Sequence, residues 1–130
     1  MVRRLRLCVD FDGTIVDHEF PEIGALKPGV RTALRRFRQL GHYIVISSCR
    51  TCRWDEETFG SWDCPILERP KVREMIEFLD REKIPYDEID DGTKGKVLAD
   101  LYIDDKGLRF QDNWFDILEL VSSWTSGEPL

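Results

Sequence analysis

Apolar residues along this chain recur at two spacings, and the segments that carry them alternate. Leu5 to Phe11 is a mostly apolar run that stops at a turn signal, the pattern of a buried strand. Asp12 to Lys27 reads as a loop or small hairpin, broken by Pro21 and Gly24. Pro28 suits the first turn of a helix. Val30, Leu34, Phe37 and Leu40 then follow at helical spacing until Gly41 ends the run. His42 to Ser47 is rich in β-branched residues and predicts a second buried strand. Pro70 opens another helix, with Val72, Met75, Ile76 and Leu79 on one face. Short strands are expected around Tyr86 to Ile89 and from Ala99 to Ile103, separated by a turn at Gly92 to Lys96. Trp114 to Trp124 closes the pattern as an amphipathic helix, with Phe115, Leu118 and Val121 against polar positions.

Strands alternating with helices predict an α/β fold: a parallel, Rossmann-like sheet with helices on its faces, in a three-layer α/β/α sandwich. No repeat, low-complexity tract or linker interrupts the pattern, so residues 1–130 read as one domain. The segment Cys49 to Arg69 is the irregular part. It is longer than a plain connection and carries Trp54, Phe59 and Trp62. Loops of that length are often functional. It is read as a partial lid, a contact for a second copy, or aromatics packed on the core.

Composition narrows the function classes. A formal net charge of −6 argues against nonspecific nucleic-acid binding, which needs a basic footprint. Arg3, Arg4 and Arg6 read as a solvated flank of the first strand. No apolar run approaches the roughly 20 residues of a membrane-spanning helix, and no signal-peptide core is visible. A cytoplasmic protein is expected. Four cysteines, Cys8, Cys49, Cys52 and Cys64, include one Cys-x-x-Cys pair. Without a second pair or a nearby histidine, reduced thiols are favoured over a zinc or redox site.

The chemistry-bearing residues fall at the ends of predicted strands. Asp10 and Asp12 end the first, Ser48 follows the second, Lys96 lies in the turn before the last, and Asp104-Asp105 follow that strand. In a parallel sheet these ends share one edge. Several carboxylates suit Mg²⁺, which prefers oxygen ligands. A hydroxyl and an ammonium suit a phosphoryl group. One carboxylate can attack phosphorus while another moves a proton. Ser47 rivals Ser48, and Lys94 rivals Lys96. Arg50 is placed either against substrate or in a surface ion pair, and His18 is read as a surface histidine.

With these residues in order, the chain resembles the haloacid dehalogenase superfamily of phosphohydrolases. Asp10-Phe11-Asp12-Gly13-Thr14 is similar to its first motif, Ser48 to its second, Lys96 to its third and Asp104-Asp105 to its fourth. The resemblance implies Asp10 as nucleophile and Mg²⁺ ligand. It implies Asp12 as general acid/base, with its backbone carbonyl on the metal. Ser48 and Lys96 would hold the phosphoryl group, and Asp104 and Asp105 would complete the metal site. Between the motifs there is no room for a separate cap domain. The implied function is a capless Mg²⁺-dependent phosphatase acting on a phosphomonoester through an aspartyl-phosphate. A non-catalytic phosphoryl-binding module and a phosphotransferase are the alternatives. A second copy of the chain, joined through residues 49–69, is a further expected partner.

Overall fold

The structure, a computed structural model, describes residues 3–51 and 63–125. Its strands are β1 (Arg6–Asp10), β2 (Tyr43–Ser47), β3 (Glu88–Ile89) and β4 (Leu101–Ile103). Its helices are α1 (Val30–Gln39), α2 (Pro70–Arg81) and α3 (Trp114–Thr125). The strands form one parallel sheet in the order β3-β2-β1-β4. This is the α/β arrangement that the alternating pattern predicts, and it is compatible with a Rossmann-like sandwich.

The order has a consequence for function. From β1 the chain steps outward through α1 to β2 and through α2 to β3. It then returns to set β4 against the other side of β1. The reversal leaves a switch point between the carboxyl ends of β1 and β4, which is where open α/β sheets bind ligands. Register fixes what meets there: Val9 pairs with both Ile46 and Ile103, and Asp10 pairs with Ser47.

The core explains why β1 and β2 form. Leu7, Val9, Phe11, Ile44 and Ile46 are buried against Leu34 of α1 and Val72, Met75 and Leu79 of α2. Each such side chain contributes roughly 1.5–3 kcal/mol of transfer free energy. Phe11 meets Phe78 of α2 edge-on, with ring centroids 5.9 Å apart, so the residue between the two acids of the first motif anchors that strand end in the core.

Several boundaries differ from expectation. Helix α1 begins at Val30, because Gly29 takes φ +84° and turns the chain before it. Pro28 therefore precedes the helix and does not sit in its first turn. Strand β4 starts at Leu101 and not at Ala99. Asp100 turns its carboxylate onto the Arg6 backbone N–H at 2.8 Å and onto the Arg3 guanidinium at 2.9 Å. Helix α3 forms where expected, yet Trp114, Phe115, Leu118 and Val121 are all exposed. Of the segment from Cys49 to Arg69, single 3₁₀ turns at Cys49–Thr51 and Ile66–Glu68 are described. Cys52, Trp54, Phe59 and Trp62, and with them the lid and the contact expected from that segment, lie outside the described residues. No described helix is long and apolar enough to cross a membrane.

Candidate active site

Strand β1 delivers Asp10 to the switch point, and β4 delivers Asp104 and Asp105. Between them lies a cleft of about 440 Å³ lined by Asp10, Ser47, Asp104, Asp105 and Lys106, with Cys8 beside them. Burial pushes the Cys8 thiol above its usual range.

The turn after β1 is tight because one carbonyl serves three donors. The N–H groups of Thr14, Ile15 and Val16 all point to the Phe11 carbonyl, and the Gly13 N–H returns to the Val16 carbonyl at 2.8 Å. Gly13 takes φ +91°. A Cβ there would also lie 2.3 Å from Oδ2 of Asp105. Two independent constraints therefore require glycine: the left-handed backbone, and the close approach of a carboxylate from the other side of the cleft.

Asp10 is half-buried, and its hydroxyl partner is Thr14, which donates from Oγ1 at 3.3 Å. Its carboxyl pKa is pushed up to about 6. Burial is the main cause, the neighbouring Asp105 carboxylate adds to it, and the Thr14 hydrogen bond opposes it. Two acids facing one another in a partly dry cleft favour a shared proton or a cation. Asp104 is folded back on its own loop, where it accepts from the backbone N–H of Lys106 at 2.9 Å and from that of Gly107.

Asp12 is not in the cleft lining. It is buried, and the fully buried Arg50 grips both its oxygens, Nε to Oδ2 and Nη2 to Oδ1, each at 2.8 Å. The rest of the guanidinium is also used. It donates to the carbonyls of Pro21, Glu22 and Lys71 and lies 5.0 Å from the centroid of the Phe20 ring. Arg50 thus ties the motif turn, the loop after it and the start of α2 into one knot. Neither expectation for Arg50 holds, since it sits in a buried ion pair.

The remaining candidates divide. Ser48 is buried, and its Oγ accepts the Arg50 backbone N–H at 3.1 Å, closing the turn after β2. Ser47, its rival, is the serine that lines the cleft beside Asp10. Lys96 is exposed in its turn, its ammonium 4.9 Å from the centroid of the Tyr102 ring, and Lys94 pairs with Glu88 at 3.4 Å. The lysine that lines the cleft is Lys106. Its signal in the sequence was its place directly after Asp104-Asp105. His18 is exposed, as expected.

The acids present fit Mg²⁺. Mg²⁺ keeps several waters and needs only one or two carboxylates, and the crowding of Asp10 by Asp105 is the repulsion a divalent cation relieves. Among the described residues no three acidic, histidine or cysteine side chains form a ready-made cage. Asp10 and Asp105 are the pair placed to bind, and Asp104 would have to leave its backbone donors to join them.

No protein-family model matches this sequence, and no curated protein matches it. Among solved structures, a conserved protein from Bacteroides thetaiotaomicron is similar, at 25% identity and a TM-score of 0.61. The match covers 93% of this chain and 92% of that one. It supports the α/β fold over nearly the whole length.

Proposed function

We propose that this chain is a haloacid dehalogenase-type phosphohydrolase that cleaves a phosphomonoester with Mg²⁺. The observation that carries this reading is the pairing of Asp10 with Asp105 across the switch-point cleft. Asp10, Asp105 and, as the resemblance implies, the backbone carbonyl of Asp12 would hold Mg²⁺, which would supply charge screening for an incoming phosphoryl group.

The chain's own residues supply the rest. An Asp10 carboxylate oxygen attacks phosphorus, forming the acyl–phosphate bond as the ester P–O bond breaks, and the leaving oxygen takes a proton. Water then hydrolyses the acyl phosphate, releasing inorganic phosphate and returning the carboxylate. Ser47 and Lys106 stand where they can bind phosphoryl oxygens, alongside the expected roles of Ser48 and Lys96. Asp12 is assigned the proton transfers. To exchange a proton with a substrate in the cleft, this buried carboxylate, which lies outside the cleft lining, has to be reached by a water or by a shift of the turn after β1.

That requirement supports a second reading, a module that binds a phosphoryl group without turning it over. Asp12 is buried against Arg50 and away from the cleft lining, and a pure binder needs no proton shuttle. A Mg²⁺-dependent screen over phosphorylated sugars, nucleotides, lipid headgroups and phosphopeptides separates the two. Release of inorganic phosphate from any class supports the hydrolase. Saturable binding without release supports the module.

A further inference from the structure

Residues 94–98 are fastened to one face of the sheet, and it is the face that carries Asp10. Side chains alternate along a strand, so Arg6, Cys8 and Asp10 share one face of β1. Parallel register sets Tyr102 of β4 beside Cys8, and Cys8 beside Val45, which pairs in turn with Glu88 of β3. Tyr102 and Glu88 therefore stand on that same face. Arg6, Tyr102 and Glu88 each hold the segment. Arg6 donates from Nε to the Leu98 carbonyl at 2.8 Å. The Tyr102 hydroxyl donates to the Val97 carbonyl. Glu88 pairs with Lys94 at 3.4 Å.

Lys96 lies between these anchors, and Tyr102 meets its turn twice. The ring sits 4.9 Å, centroid to Nζ, from the Lys96 ammonium, while the hydroxyl binds the carbonyl of the next residue, Val97. Lys94 is committed to Glu88, whereas Lys96 forms no ion pair among the described residues. Tyr102 also lines the cleft together with Asp10 and Ser47. It thus borders the cleft and holds Lys96 at once. Tyr102 is level with Cys8, and two residues along a strand from there to Asp10 is roughly 6.6 Å. A lysine's flexible four-carbon stem bridges a step of that order. A cation over an exposed ring is held weakly, and an ammonium on a phosphoryl oxygen more strongly. The ring therefore parks the charge without trapping it.

We propose that Tyr102 is a positioning residue: it keeps the Lys96 ammonium poised on the Asp10 face and yields it to a phosphoryl group in the cleft. This rests on the phosphohydrolase reading, in which Lys96 holds that group.

Two measurements test it. The first needs no ligand. Lysines are reductively methylated with carbon-13, which keeps their charge, and the Lys96 signal is assigned by its loss in Lys96→Arg. In wild type that signal should carry an upfield ring-current shift, which Tyr102→Leu removes and Tyr102→Phe keeps. The second is calorimetric titration of inorganic phosphate into the chain with Mg²⁺. Lys96→Ala should weaken binding by about 10-fold, and Tyr102→Leu by about 2- to 5-fold. In the Lys96→Ala background, Tyr102→Leu should add nothing. Tyr102 is 45% exposed, so its replacement leaves the core intact.

A Lys96 signal that ignores Tyr102→Leu overturns the proposal. Phosphate binding in which the two losses simply add overturns this proposal alone and leaves the phosphohydrolase reading standing. A wild-type chain that binds no phosphate overturns it too, and if that chain also hydrolyses no phosphomonoester the phosphohydrolase reading falls with it.

Discussion

Arg50 holds Asp12 by two parallel hydrogen bonds of 2.8 Å, with both side chains withdrawn from water. Removing one partner of such a pair strands the other charge in a dry site and costs about 3–5 kcal/mol. Arg50→Ala should therefore lower stability by about that amount in urea unfolding. Arg50→Lys should recover only part of it, because an ammonium cannot reproduce the guanidinium fork. Asp12→Asn in the Arg50→Ala background should cost far less than the sum of the single changes.

A second expectation concerns Gly13, the glycine that follows the motif acids. Gly13→Ala forces a side chain into φ +91° and against Asp105. Backbone strain of that kind costs on the order of 1–3 kcal/mol. Displacement of Asp105 should weaken Mg²⁺ binding beyond the loss of stability. Isothermal titration of folded Gly13→Ala with Mg²⁺ measures it directly, and an affinity equal to wild type would separate Asp105 from the metal site.

The raised pKa of Asp10 gives a pH signature in the metal-free protein. Its ordinary value is 3.8, and in the fold it is about 6, so the folded chain holds this proton more tightly than the unfolded one. The stability this contributes is full below pH 3.8 and is lost as pH rises through about 6. Urea titrations in chelator should show that decline, and Asp10→Asn should remove it. Mg²⁺ should restore stability above this window, because it binds the ionised pair in the folded state only.

Which features of the fold and site are legible in the sequence follows from the range of the forces involved. Strands β1 and β2 and helix α2 were legible because burial on the sheet leaves a local apolar pattern. The place of Asp10 was legible for the same reason, since an acid that ends such a run must stand at the sheet edge. The choice between Ser47 and Ser48 was not, because successive side chains of a strand point to opposite faces; the pairing of Asp10 with Ser47 resolves which one lines the cleft. The partner of Asp12 was hidden for a different reason. Arg50 lies 38 residues away, and no local rule links a motif acid to an arginine after the next strand. Helix α3 shows the limit of amphipathicity. Its apolar face was readable, but the pattern does not say whether this core or another surface receives it.

The central claim is that Asp10 attacks phosphorus. Steady-state release of phosphate from an aryl phosphate, with and without Mg²⁺, compares wild type with Asp10→Asn most directly. Wild type should turn over in a Mg²⁺-dependent manner, and the variant, whose amide is a poor nucleophile, should fall by about 10³-fold or more. A variant that turns over at the wild-type rate would contradict the assignment.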